Sequence, residues 1–341
     1  MRALVYEAPW QLSLREVDDP RPGPGEAVVS VYASGICGSD VHGFTGATGR
    51  RHPPVVMGHE VAGAVAAIGA GVDGVATGDR VAVRSILACG RCATCSAGRH
   101  NVCLNRRGLG IHVAGGYADE LVVPAAVLVP LPDRLDWDVA AMAEPLSVAM
   151  HAMNLTPVQI MGTVVVMGAG TLGLLSMLAA RWRGAGTVIV VDVNPRRLAL
   201  AQELGAHLTV NAADDDVPAT VRQATGGRGV DAVLEAVGVA ATAQQSLLVA
   251  RTGGHVTWIG NLEPAVEIPM QEVVTRELTV RGAYGSNEEF PLAVAALEGL
   301  GPEVRRLIEH RAQLEDGPRL FTELANGELD AVKVILAPRP T

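Results

Sequence analysis

The rhythm of hydrophobic and polar positions changes once along this chain, near Pro145. Before it, short apolar runs at 26–32, 55–68 and 80–83 are cut by PRPGPG, GAGVDG and TGD. Short strands with Gly/Pro punctuation predict an irregular, mostly β region. After it, residues 147–153 have a helical spacing, and GTVVVMGAG opens a repeating pattern. TVIVVDV, HLTVNA, VDAVLEAV and GHVTWIG are strands separated by helical runs. Strands alternating with helices imply a parallel sheet with crossover connections. Beyond about Arg276 the alternation weakens into a strand (ELTVRGAYG), a helix over 290–300 and a last strand (AVKVILAP). The expected fold class is α/β, with an inserted domain at 149–275 and a second domain built from 1–148 and 276–341.

Composition narrows this reading. A chain of 341 residues with 49% hydrophobic residues and 39 glycines suits two compact domains. Residues 161–180 carry no charge and approach the length of a membrane span, about 20 residues. GAGTLG breaks that stretch, and Arg181 and Arg183 follow it, so a strand, a glycine turn and a buried helix are expected instead. MRALVYEAPWQL meets charge and proline before any apolar core could form, so no secretory leader is expected. A formal charge of -9 argues against nucleic acid as the main partner. Lys333 is the only lysine, which reads as compositional bias.

GAGTLG places Gly168, Gly170 and Gly173 between the apolar run 164–167 and a helix. The glycines serve a tight turn, close approach of backbone to a pyrophosphate, and close helix–strand packing. The amides that open the helix, around Thr171 and Leu172, would face the phosphates. A second strand ends at Asp192, at the distance where a carboxylate binds adenosine ribose hydroxyls and repels a 2'-phosphate. NAD is therefore expected over NADP, although Arg196 and Arg197 stand nearby.

Of five cysteines, Cys89, Cys92, Cys95 and Cys103 follow C-x2-C-x2-C-x7-C. Four crowded thiolates suit a closed, tetrahedral structural zinc and a reducing compartment, here the cytoplasm. Ferredoxin-type clusters also begin C-x2-C-x2-C, but their fourth cysteine usually comes sooner and precedes proline; here Leu104 follows Cys103. Arg91, Arg99, Arg106 and Arg107 make the lobe basic, as in a nucleic-acid-binding zinc module; on an acidic chain they are expected to be solvated surface.

The fifth cysteine, Cys37, lies in GICGSDVH, before GHE (Gly58, His59, Glu60) and AEPLSVAMH with Glu144. A thiolate, an imidazole and a carboxylate make a three-ligand zinc site with one position open, which alcohol oxidation requires. Together, CGSDVH, GHEVAG, the four-cysteine lobe, GAGTLG and EPLSVAMH closely resemble the zinc-containing medium-chain dehydrogenase/reductase family, in its polyol (sorbitol, butanediol, threonine) branch. The resemblance runs end to end. It implies a GroES-like catalytic domain and a Rossmann domain, with Cys37 and His59 as catalytic zinc ligands. Glu60 would be a third or exchanging ligand, with Glu144 bound directly or through water. Asp40 would orient His59, Ser39 would take the alcohol proton, and His42 would pass it on. A homodimer or homotetramer is implied by the resemblance alone.

Glu144 stands where a second cysteine ligand would occur in other members, which favours a polar substrate: a diol, sugar alcohol or related hydroxy compound. Phe44, Tyr284, Ser286 and Asn287 are candidate pocket walls. Arg50 and Arg51, before GHE, are expected to face water, and His151 and His112 carry no motif. The alternatives are an L-threonine or sugar-phosphate dehydrogenase of the same family and, from another class, the nucleic-acid-binding zinc module.

Overall fold

The computed structural model describes residues 1–339. The chain forms two compact units: Met1–Glu144 with the segment from Phe290 onward, and Pro145–Glu289 between them. The sequence pattern put the crossings at 148/149 and 275/276. The second moves because the strand Thr279–Gly282 pairs with Ala250–Trp258 and so extends the sheet of the inserted unit. The first crossing falls inside the helix Ala143–Leu155, which starts four residues before the predicted one.

The inserted unit is a six-stranded parallel sheet. Its spatial order is Leu208–Asn211, Thr187–Asp192, Thr163–Met167, Val230–Glu235, Ala250–Trp258 and Thr279–Gly282. This is a doubly wound order, reversing beside Thr163–Met167, where such sheets bind ligands. Its central strands are continuous apolar runs because helices cover both faces. Val165, Ile189, Val233 and Val256 are all buried in one cluster. Residues 161–180 divide into the strand Thr163–Met167 and the helix Thr171–Trp182, and among the described residues no helix is long and apolar enough to cross a membrane.

The other unit is mostly β. A seven-stranded sheet runs Leu128–Pro130, Arg80–Val83, Glu60–Ile68, Glu26–Ile36, Lys333–Leu336 and Ile308–Ala312, with Glu120–Pro124 also paired to Glu26–Ile36. The strand expected over 55–68 is split. Val55–Val56 pairs with Arg2–Ala8, and Glu60–Ile68 joins the large sheet. The break is at Gly58, whose φ of 97° lies in the left-handed region and whose Cβ, if present, would lie 2.7 Å from the Tyr117 ring. His59 therefore lies in the irregular connection between them, outside either strand.

Candidate active site and metal centres

Strand register assembles the first site. Gly35 pairs with Glu60 on one side of the Glu26–Ile36 strand, and Ile36 pairs with Val334 on the other. Cys37 follows at the end of this strand as the N-cap of the helix Gly38–Phe44. Gly35 lacks a side chain where a Cβ would lie 1.9 Å from Glu60 Oε2, so the carboxylate can lie over the backbone. Donor atoms of Cys37, His59 and Glu60 consequently lie within 4.8 Å of one another. Thiolate, imidazole and carboxylate are zinc donors, and three of them leave a coordination position open.

Behind these residues lies a buried polar network. His59 Nδ1 lies 3.2 Å from Asp40 Oδ1, within ion-pair reach although the alignment falls short of a hydrogen bond, and this leaves the other ring nitrogen for a metal. Asp40 is fully buried and also receives Arg51 Nη2 at 2.5 Å and the Tyr117 hydroxyl at 2.6 Å. Burial opposes its charge, but His59, Arg51 and Tyr117 together hold the carboxyl well below its usual range. Arg51 thus turns inward, contrary to the expectation that it faces water; Asp40's buried charge supplies the reason. Lys333 Nζ donates to both oxygens of Glu60, at 2.7 and 2.9 Å, and to the Ile36 carbonyl at 3.0 Å. Burial lowers the Lys333 pKa, but Glu60 and Cys37 more than reverse this and raise it. The only lysine of the chain is therefore part of the site rather than compositional noise.

Ser39 Oγ lies 3.4 Å from Cys37 Sγ on the exposed side of the same turn. His42 is three residues further along this helix, half-buried, and burial lowers its pKa, so the ring is neutral at neutral pH. Glu144 is not in the three-donor group. Its Oε1 accepts from Ser85 Oγ at 2.7 Å, and burial, with Glu60's charge adding and His59's opposing, raises its pKa. Phe44 is fully buried against Trp10 and Phe321, so it belongs to the core rather than to a pocket wall. His112 is exposed and its Nδ1 accepts from the Gly108 amide.

The four remaining cysteines form a second donor set, again within 4.8 Å of one another. Backbone amides of Cys89 and Asn105 both donate to Cys103 Sγ at 3.3 Å. The Thr94 hydroxyl and the backbone amides of Cys95 and Leu104 lower Cys92 to about 5. The donor set fits a closed tetrahedral zinc. Arg91, Arg99, Arg106 and Arg107 are all exposed on this lobe.

In the inserted unit the glycines stand as their separate tasks require. Gly168 has φ 95°, and a Cβ on Gly173 would lie 1.8 Å from the Gly168 carbonyl oxygen. Gly170 is the N-cap of Thr171–Trp182, and a Cβ there would meet nothing within 4 Å. Thr171 and Leu172 form the first turn of that helix, half-buried. Asp192 ends its strand with Oδ2 accepting from the Ala169 amide at 2.5 Å and Oδ1 from the Asn194 amide at 2.8 Å. The carboxylate therefore also braces the glycine turn. Arg197 lies in the first turn of Pro195–Glu203, which Asn194 caps.

The sequence pattern carried no signal for three participants. Lys333, Tyr117 and Arg51 each lie in segments without a motif, and their partners are set by sheet register and burial. Separately, within the inserted unit, His151 Nδ1 is 3.0 Å from Glu289 Oε1, which also accepts from Asn154 Nδ2 at 2.9 Å.

A glycine-turn dinucleotide fold and an open thiolate–imidazole–carboxylate set are the equipment of a metal-dependent nicotinamide dehydrogenase. Known proteins agree. Residues 23–133 match the alcohol dehydrogenase GroES-like domain, and 171–299 match the zinc-binding dehydrogenase domain. Sorbitol dehydrogenase of Bacillus subtilis is 32% identical over 99% of this chain and 97% of its own. L-threonine 3-dehydrogenase of Saccharopolyspora erythraea is 35% identical over 91% of this chain and 92% of its own. The structure of a zinc-binding dehydrogenase from Sinorhizobium meliloti, bound to NADP, superposes with a TM-score of 0.92 at 35% identity, covering 99% of both chains. The chain belongs to the zinc-containing medium-chain dehydrogenase/reductase family, in its polyol dehydrogenase-like branch. It is an oxidoreductase using zinc and a nicotinamide cofactor.

Proposed function

We propose that this enzyme oxidises a secondary alcohol or polyol with NAD, using one catalytic zinc held by Cys37, His59 and a carboxylate, and one structural zinc held by Cys89, Cys92, Cys95 and Cys103. The observation that carries the reading is the open three-donor set with the Ser39 hydroxyl 3.4 Å from Cys37 Sγ. Zinc at that position supplies Lewis acidity, lowering the pKa of an alcohol hydroxyl towards neutrality. Ser39 then accepts the alcohol proton, since a hydroxyl can donate and accept together. His42, kept neutral by burial, takes that proton on towards solvent. Asp40 holds the His59 ring in the tautomer that ligation needs.

Glu60 is the carboxylate we assign to the zinc, on its distance, with Glu144 in reserve beyond it. Asp192 binds the adenosine ribose hydroxyls and favours NAD; Arg197 is the residue that would tolerate a 2'-phosphate. The NADP in the Sinorhizobium meliloti protein makes this preference worth measuring directly. We further propose a cytoplasmic homodimer or homotetramer that binds no nucleic acid. Among the described residues the strand Thr279–Gly282 has a sheet neighbour on one side only, and the helix before it exposes Met270 (69%) and Val274 (67%). An open edge beside exposed apolar groups suits pairing with a second copy.

The second reading, an L-threonine or sugar-phosphate dehydrogenase, is favoured by the Saccharopolyspora erythraea relative. A screen of NAD reduction over 2,3-butanediol, sorbitol, galactitol phosphate, threonine and a sugar acid separates the two. Turnover best on an uncharged polyol supports the first reading, and turnover confined to threonine or a phosphorylated sugar replaces it with the second.

A further inference from the structure

Arg51 is a permanent cation whose side chain is only 3% exposed, and every part of its guanidinium is engaged. Nη2 donates to Asp40 Oδ1 at 2.5 Å, Nη1 to the Ser39 carbonyl at 2.8 Å and Nε to the Gly110 carbonyl at 3.0 Å. Two of these acceptors are consecutive residues in the first turn of the helix Gly38–Phe44. The third belongs to a distant loop, 59 residues along the chain. A compact ammonium could neutralise Asp40, but it could not span three acceptors in one plane. The contacts therefore define the orientation of the turn as well as its charge.

Gly43 gives an independent observation. It lies in the same short helix, and a Cβ there would come within 1.9 Å of Arg51 Nη1 and 2.6 Å of Cζ. Glycine is less favourable than alanine within a helix. At this position the cost leaves the space that the guanidinium occupies.

We propose that Arg51 is a positioning residue for the dehydrogenase reaction, holding Ser39 and Asp40, and through Asp40 the His59 ring, in the orientation turnover requires. The inference rests on the roles given above to Ser39 and Asp40. It separates shape from charge, which a purely stabilising ion pair would not.

The test uses the full-length, zinc-loaded protein with Arg51→Lys, Gly43→Ala and Ser39→Ala. Three quantities are measured: kcat and KM on the best alcohol, the rate at which a chelator strips zinc, and the thermal midpoint. Arg51→Lys and Gly43→Ala should each lower kcat roughly 10- to 100-fold, the scale of a small misplacement of reacting groups. KM should stay within about threefold, because binding common to ground and transition states is untouched. The faster of two zinc-release phases should quicken at least about fivefold, as the ring of one ligand loses its orienting partner. Partial return of kcat when guanidinium is added to Arg51→Ala at non-denaturing concentration would support the same conclusion.

The proposal is overturned if kcat and zinc release in Arg51→Lys and Gly43→Ala both stay within about twofold of the parent. It is also overturned if lost activity only tracks lost folded protein. Should Arg51→Lys fail to fold, Gly43→Ala, which keeps the cation, decides alone. If Ser39→Ala leaves kcat unchanged, the proton-transfer reading fails. If Ser39→Ala loses turnover while the other two do not, only the role of Arg51 fails.

Discussion

The ammonium of Lys333 lies 2.7 and 2.9 Å from the two carboxylate oxygens of Glu60, with both side chains about 1% exposed. The same buried carboxylate belongs to the donor set it forms with Cys37 and His59. A zinc bound by Glu60, as proposed, would share that carboxylate with Lys333 and give it two positive partners.

Removing one of them has a definite consequence. Lys333→Met should destabilise the zinc-stripped protein by about 3–5 kcal/mol, the cost of leaving half of a buried ion pair. Added zinc should recover part of that loss, since the metal becomes the remaining counter-charge of Glu60. Urea unfolding with and without zinc reads both effects. A variant as stable as the parent in the absence of zinc would show that the pair contributes little.

Glu289 predicts an acid sensitivity in the inserted unit. Burial works to raise its pKa, but His151, Asn154 and the Asn287 amide bring the carboxyl down to about 2 from 4.5. A depressed folded-state pKa contributes stability that is full above about pH 4.5 and is lost as pH falls through about 2. Parent and Glu289→Gln should therefore differ by on the order of 3 kcal/mol near neutrality, and the gap should close on acidification across that window. A gap independent of pH would remove the ionised carboxylate from the account.

Asp192 braces the glycine turn, and two substitutions test its proposed ribose contact as well. Asp192→Ala should weaken NAD roughly tenfold and relax discrimination against NADP, the scale of one lost charge-assisted hydrogen-bonding group. Asp192→Asn keeps one acceptor oxygen, enough for either the Ala169 or the Asn194 amide but not both, so it should disturb the glycine turn less than alanine while still relaxing the discrimination. Cofactor preference unchanged in both would count against contact with the ribose.

Cys95→Ser should affect folding rather than turnover. A closed thiolate site contributes its binding energy to folding, so this variant should lose solubility or assembly before it loses chemistry. Chelation monitored by thermal unfolding checks it: a midpoint unmoved by loss of the lobe's metal would mean the lobe folds without zinc.

Local chemistry made much of this molecule legible in advance. Strand-turn-helix spacing around Gly168 and the crowding of Cys89, Cys92, Cys95 and Cys103 are short-range signals, and each needs only neighbouring residues to be meaningful. Cys37, His59 and Glu60 lie on two segments, yet motif spacing still marked them. Lys333 did not show itself, because its partner is 273 residues away and only the pairing of Val334 with Ile36 brings it there. Arg51 was misplaced for a related reason: an arginine in a polar loop faces water unless a buried carboxylate waits for it, and Asp40's burial is a property of the packed unit. Phe44 failed in the opposite direction, since proximity to His42 in the chain says nothing about which side of the helix meets Trp10 and Phe321.

The division of five cysteines into a closed set of four and an open site around one is the centre of the account, and Cys37→Ser tests it most directly. Zinc per chain and alcohol turnover are measured on the same folded preparation. About two zinc ions are expected in the parent and about one in the variant, with turnover abolished and the fold intact. A variant that keeps both ions, or that still oxidises the alcohol, would contradict it.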